Sequence, residues 1–312
     1  MRHTDALDRL HMARALELAA RGLWTTHPNP RVGCVLVVGG QVVAEGWHER
    51  AGQAHAEAMA LAAAGARAHG STAYVTLEPC CHHGRTPPCA DALIAAGVRR
   101  VCYAVRDPNP RVAGGGIARL AAAGIVLGDG LLEAEARALN PGFLSRFERG
   151  RPWVRVLSGP MLEAEARLQS LRARASAILT SSGHVRAADP RLDVQLPGVE
   201  RQPLRVVLDT TLAIAPTARS IAPPGELLVL TASADIGRRK ALEAAGARVE
   251  RLPAGPGGLD LGAALQRLCE LEVNELQVEA GARLSAALQA AGFVDEVAEV
   301  SVLDKADAAA RH

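Results

Sequence analysis

Strand-like and helix-like stretches alternate along nearly the whole chain, and that order restricts it to a layered α/β fold. Residues 5–21 set Leu7, Leu10, Ala13, Leu16 and Leu18 among charged side chains, as an amphipathic helix would, and Pro28 and Pro30 break the segment after it. Two β-rich runs, 32–38 and 42–45, flank Gly39-Gly40, a hairpin signature. An alanine-rich helix is expected over 54–63, a buried strand over 73–77, a turn-forming stretch over 78–88, a helix over 89–96 and a strand over 100–105. Further on, residues 153–157, 177–180, 204–208, 227–230 and 275–279 read as strands.

A length of 312 residues exceeds the usual single domain, so two domains are expected. The charged segment 146–152, with Gly150 and Pro152, is the natural boundary and gives domains 1–148 and 149–312. Only 3% of residues are aromatic, so both cores must rest on Ala, Leu and Val. The 35 basic and 33 acidic residues are interspersed and leave a net charge of +2, without the basic stripe of a nucleic-acid surface. No apolar run approaches the roughly 20 residues needed to span a bilayer, and charges occupy the N-terminus where a signal peptide would be apolar. A cytoplasmic protein with neither nucleic-acid nor membrane partners is expected.

Six cysteines are too few for a disulfide scaffold, and three of them crowd into residues 80–89 beside histidines. His55-Ala56-Glu57, then Pro79-Cys80, then Cys89 supply one imidazole and two thiolates, a fitting set for one tetrahedral zinc ion per chain. Three protein ligands leave the fourth position open for water, which distinguishes catalytic from structural zinc. Glu57 comes two residues after His55 at the start of the expected helix, placed to move protons between water and departing ammonia without ligating the metal. Zinc deaminases carry H-x-E followed by P-C-x-x-C, and this chain departs from that pattern by putting eight residues between its cysteines.

That longer segment, Cys80-Cys81-His82-His83-Gly84-Arg85-Thr86-Pro87-Pro88-Cys89, resembles the deaminase domain of the bifunctional riboflavin-biosynthesis deaminase/reductase family. So do His27-Pro28-Asn29-Pro30-Arg31-Val32-Gly33, Gly46-Trp47-His48-Glu49-Arg50-Ala51-Gly52, Thr76-Leu77-Glu78-Pro79-Cys80, Asp107-Pro108-Asn109-Pro110 and Leu139-Asn140-Pro141-Gly142-Phe143. The resemblance covers residues 12 to about 150. It implies a three-layer, cytidine-deaminase-like N-terminal domain with a mixed sheet, followed by a dihydrofolate-reductase-like α/β domain. It also implies hydrolytic deamination at C2 of a 2,5-diamino-6-ribosylamino-pyrimidinone 5′-phosphate, with Glu57 catalytic and His55, Cys80 and Cys89 on the metal.

Matching positions for substrate contact are Asn29, His48, His82, Arg85, Thr86, Asp107 and Asn109, with Arg85 foremost for the phosphate. Plainer readings stand beside these: Cys81 as a fourth ligand or merely a small side chain, His82 and His83 as surface turn residues, and Asp107 and Asn109 as turn formers capping their own backbone. Cys34, Cys102 and Cys269 lie in or beside apolar runs and read as small hydrophobes.

Beyond residue 150 the resemblance is patchy. The run from Arg151 enters like the first reductase strand, but Leu157-Ser158-Gly159-Pro160 then leads into a helix-like stretch near Met161 where the family carries a Lys, a Ser-Leu-Asp-Gly turn and a Trp-Ile-Thr segment. His184 replaces the Thr of the cofactor loop, Asp193 and Gln195 replace a Thr and a phosphate-binding Arg, and Arg283 replaces a Thr after Glu279-Ala280-Gly281. The chain also stops soon after Val294-Asp295-Glu296. The expectation is a truncated, degenerate reductase-like domain that takes no NADPH and serves as a scaffold for homo-oligomers. Retention of both activities is the alternative, and a non-catalytic, zinc-stabilised assembly protein is a third. The deamination would be the same in riboflavin synthesis or in an azapteridine toxin pathway such as that of toxoflavin.

Overall fold

The computed structural model describes residues 3–82, 87–159, 165–255 and 257–300. The chain divides into two compact units between Glu148 and Arg149.

The first unit runs α1 (His3–Ala20), β1 (Gly33–Val38), β2 (Gln41–Trp47), α2 (Ala56–Ala64), β3 (Thr72–Leu77), α3 (Cys89–Ala95), β4 (Arg100–Val105), α4 (Gly115–Ala122), β5 (Val126–Asp129), α5 (Glu133–Leu139) and α6 (Pro141–Arg149). Its sheet has the order β2-β1-β3-β4-β5. β1 pairs antiparallel with β2 and β3, while β3–β4 and β4–β5 are parallel, so the sheet is mixed.

Alternation along β1 sends Cys34 and Leu36 to one face and Val35 and Val37 to the other. The first pair packs with Ala56, Ala60, Ala90, Leu93 and Leu120 of α2, α3 and α4, and the second with Met12, Ala15, Leu18, Ala136 and Phe143 of α1, α5 and α6. Three layers result, helix on sheet on helix, with the alanine-rich interior that the scarcity of aromatics implies.

α1 buries a different stripe from the one its leucines suggest. Leu7 and Leu10 are 40% and 62% exposed, whereas Asp8, His11, Met12, Ala15, Leu18 and Ala19 face inward. Asp8 is drawn in by polar partners: Arg100 donates to it at 3.0 and 2.7 Å, and the Tyr74 hydroxyl at 2.5 Å.

The second unit adds β6 (Trp153–Ser158), α7 (Glu165–Arg174), β7 (Ala177–Ser181), α8 (Ser182–Ala188), β8 (Leu204–Leu208), β9 (Leu227–Thr231), α9 (Ile236–Ala244), β10 (Arg248–Arg251), β11 (Ala254–Gly255), β12 (Gly258–Leu259), α10 (Leu261–Glu270), β13 (Glu275–Val278), α11 (Ala282–Ala290) and β14 (Glu296–Glu299). Seven strands in the order β10-β9-β8-β7-β13-β6-β14 form one parallel sheet. Its central strands are buried on both faces, as a parallel sheet requires. The helix-like stretch expected near Met161 is observed as α7, and Met161 itself lies outside the described residues.

Candidate active site

Three backbone segments bring their ends together on the α2–α3 side of the first sheet. β3 ends at Leu77 and delivers Cys80, α2 begins just after His55, and α3 begins at Cys89. Gly46 on β2 permits the approach of α2, because a Cβ there would lie 2.4 Å from the Ala56 carbonyl oxygen. His55 therefore sits at the N-cap of α2 and Glu57 in its first turn.

The His55 Nδ1 lies 3.6 Å from the Cys80 Sγ and 3.4 Å from the Cys89 Sγ, and the three donor atoms lie within 4.8 Å of one another. With Zn–N near 2.0–2.1 Å and Zn–S near 2.3 Å, a tetrahedral ion demands an N···S edge of about 3.5 Å, so this donor set fits zinc. The backbone N–H of Cys89 also donates to the Cys80 sulfur at 3.3 Å, fixing one thiolate from the start of the helix that carries the other. An ionised Cys80 sulfur opposes the ionisation of Cys89. The Cys80 thiol is held low by hydrogen bonds from Cys89 and His55, whereas a proton shared with Cys80 and burial push Cys89 up. A divalent ion removes that conflict.

Glu57 is 3% exposed. Burial and then the Cys80 charge raise its carboxyl to about 7, against the opposing pull of His55. Cys34 forms part of its apolar surroundings, and its thiol is pushed up by burial and by Glu57.

His48 is buried with its ring edge-on to His55, the centroids 5.5 Å apart. Its Nδ1–H donates to the Ala54 carbonyl at 3.0 Å, which leaves Nε2 to accept from the Asn29 amide at 3.1 Å. Burial holds this imidazole below its usual range, against the opposing effect of the Ala54 carbonyl. It is thus a neutral ring of fixed tautomer.

Asp107 and Asn109 each spend an oxygen on their own turn. Asp107 accepts from the Asn109 N–H at 2.8 Å, and Asn109 accepts from the Arg111 N–H at 3.1 Å. Burial, against that Asn109 N–H, pushes the Asp107 carboxyl up to about 6. Cys81 turns away from the metal ligands toward the carbonyls of Arg111 and Val112, at 3.7 and 3.8 Å, and behaves as a small packing side chain. His82 is exposed. Arg85, Thr86 and His83 lie outside the described residues.

One residue of the site is not singled out by the sequence. Glu78 is buried at the end of β3 and accepts four backbone N–H bonds from residues 107–117. The signal that could have found it is the helix start at Gly114-Gly115-Gly116, which lacks a capping side chain of its own.

In the second unit, Arg172 forms a buried two-pronged pair with Glu279 at 2.8 and 2.7 Å, and Gln277 donates to the same carboxylate at 2.7 Å. Buried Asp193 is gripped by Arg191 at 2.7 Å.

Residues 6–105 match the cytidine and deoxycytidylate deaminase zinc-binding region, and residues 142–301 match the RibD C-terminal domain. The riboflavin biosynthesis protein RibD of Escherichia coli (strain K12) is 45% identical over 319 residues, covering 93% of this chain and 86% of that protein. The diaminohydroxyphosphoribosylamino-pyrimidine deaminase of Buchnera aphidicola subsp. Acyrthosiphon pisum (strain APS) is 52% identical over 145 residues, covering 46% of this chain and 99% of that protein. Among solved structures, form 2 of Acinetobacter baumannii RibD superposes with a TM-score of 0.85 at 37% identity, covering 95% of this chain and 86% of that one. The diaminohydroxyphosphoribosylaminopyrimidine deaminase/5-amino-6-(5-phosphoribosylamino)uracil reductase of Thermotoga maritima superposes with a TM-score of 0.80 at 29% identity, covering 97% of this chain and 94% of that one.

Proposed function

The chain belongs to the RibD family of deaminase/reductases, and from that premise we propose that it hydrolyses the 2-amino group of 2,5-diamino-6-ribosylamino-4(3H)-pyrimidinone 5′-phosphate in riboflavin synthesis. The observation that carries this reading is the spacing of His55, Cys80 and Cys89 at the edges of a zinc tetrahedron, with a buried Glu57 beside them. Zinc held by these three side chains supplies a Lewis acid that makes water nucleophilic at neutral pH.

The chain's own residues do the rest. Glu57 takes a proton from the attacking water, and as ammonia leaves the ring C2 it returns that proton to the departing nitrogen, so water is consumed and ammonia released. The buried Glu57 carboxyl, in the first turn of the helix that starts after the ligand His55, is placed for both directions of transfer. His48, neutral and oriented by the Ala54 carbonyl, holds the Asn29 amide in place, and the remaining polar atoms of that amide offer contacts to the pyrimidine ring. The Asp107–Asn109 turn lies beside the Cys80 end of the site through Glu78, while His82, Arg85 and Thr86 are assigned to substrate contact by resemblance, Arg85 foremost for the phosphate.

The second unit we assign a scaffold role without NADPH. Where the resemblance places a phosphate-binding Arg, this chain has Gln195, whose neutral amide donates to the Asp193 carboxylate at 3.1 Å. Among the described residues Val297 is 59% exposed on the edge strand β14, which supports association with a second copy through this unit. No helix among the described residues is long and apolar enough to cross a membrane, and we place the protein in the cytoplasm. The test is ammonia release by zinc-loaded protein from the diaminopyrimidinone ribosyl phosphate, with cytidine and guanine as controls. Preference for either control overturns the substrate assignment.

A further inference from the structure

Glu78 joins two parts of the site that are far apart in sequence. Its side chain leaves the end of β3 two residues before Cys80 and is almost wholly buried. One carboxylate oxygen, Oε2, accepts from the N–H of Asp107 at 3.3 Å and of Gly114 at 3.1 Å. The other, Oε1, accepts from Gly116 at 3.2 Å and Ile117 at 3.4 Å. The first N–H groups of a helix have no partner within it. Those of α4 cannot be met by its N-cap, Gly114, which has no side chain, so a carboxylate from a neighbouring strand caps the helix instead.

The same contact is tight on both sides of Glu78. A Cβ on Gly116 would lie 1.8 Å from the Pro79 carbonyl oxygen, and one on Gly115 would lie 2.6 Å from the Cys81 sulfur. Residues 78–81 are thus pressed against 111–117 on both flanks of Cys80, and the Asp107 N–H hangs from the same carboxylate.

We propose that Glu78 is a positioning residue for deamination: a single buried carboxylate sets the metal ligand Cys80 and the Asp107–Asn109 turn in register with each other. The proposal rests on the deaminase reading and deepens it, since it states what keeps metal and substrate groups at a fixed separation.

The test compares Glu78→Gln, Glu78→Asp and, as a control in the last turn of the same helix, Arg119→Ala, which removes the exposed pair with Asp91. In Glu78→Gln one acceptor oxygen becomes a donor facing N–H groups. The expected result has three parts: faster amide hydrogen exchange at Gly114, Gly116 and Ile117, zinc binding weakened about 10- to 100-fold, as for other groups that orient a metal's ligands, and a raised KM. Glu78→Asp should lie between this variant and the wild type, and Arg119→Ala should change zinc binding and KM less than twofold.

Zinc affinity and KM within twofold of wild type in folded Glu78→Gln, with or without faster exchange, would overturn the proposal. So would failure of both Glu78 variants to fold, which would make Glu78 a stability residue. A wild-type protein that releases no ammonia but loses zinc affinity in Glu78→Gln would sink the deaminase reading and leave the coupling of Glu78 to Cys80 standing.

Discussion

Gln195 turns its amide onto Asp193 at 3.1 Å, so the position where a RibD-type reductase would present a cation to phosphate holds a neutral group aimed at a buried carboxylate. With His184 also in place of the cofactor-loop Thr, the scaffold assignment predicts that NADPH neither binds nor is oxidised when the purified protein is given the deaminated product. Titration of NADPH fluorescence and absorbance at steady state checks this, and turnover coupled to product formation would restore the bifunctional reading.

Glu57→Gln keeps the size of the side chain and removes its ability to carry a proton. Ammonia release should fall by about 10²- to 10⁴-fold while zinc content stays at one ion per chain. Elemental analysis beside the activity assay separates this outcome from a zinc-stabilised protein without catalysis, in which the substitution would change neither quantity.

Stripping the metal should expose the conflict between the two sulfurs. Cys80, its thiol held low by Cys89 and His55, should be alkylated before Cys89, and zinc should protect both. Peptide mapping after brief treatment with iodoacetamide reads the order. Zinc at a thousandfold excess over its Kd should stabilise the fold by about 4 kcal/mol relative to the stripped protein, measured by denaturant unfolding.

Asp8 gives the first unit an acid sensitivity. Burial alone would raise its carboxyl, but hydrogen bonds from Arg100 and Tyr74 outweigh burial and hold it below 3.8. A depressed folded-state value means that the stabilisation is complete above pH 3.8 and is lost as pH falls through that lower value. Asp8→Asn should cost about 1–3 kcal/mol at neutral pH, and its difference from wild type should shrink in acid. Denaturant melts from neutral pH down to strong acid track the convergence.

Gly46→Ala would set a methyl group 2.4 Å from the Ala56 carbonyl oxygen and 2.6 Å from the Ala60 nitrogen, both backbone atoms of α2. The helix must move, and it carries Glu57. A loss of about 1–3 kcal/mol in stability is expected together with a fall in kcat. Unchanged kcat in a destabilised variant would show that α2 can shift without disturbing the site.

Much of the first unit was legible because its signals are local. The Gly39-Gly40 turn, the β-branched runs beside it and the His55-Ala56-Glu57 motif each depend on neighbours within a few positions, and their elements appear within about two residues of the expected bounds. The buried face of α1 was not legible. Leu7 and Leu10 outrank Asp8 and His11 in hydrophobicity, and only the distant Arg100 and Tyr74 decide that Asp8 goes inside. Glu78 entered only as part of Thr76-Leu77-Glu78-Pro79-Cys80, and its role was hidden for a similar reason, since all four of its donors lie between 29 and 39 positions away. The short strands β5, β10, β11, β12 and β14 are half exposed and carry too few apolar side chains to announce themselves.

The bond from the Cys89 N–H to the Cys80 sulfur bears on how this kind of protein can diverge. Cys80 is fixed by the strand before it and Cys89 by the helix after it, so the number of residues between them does not enter the geometry of the donor set. A two-residue spacer and the eight-residue spacer here can therefore serve the same ion. The spacer can thus lengthen in sequence over evolution with no rebuilding of the donor set.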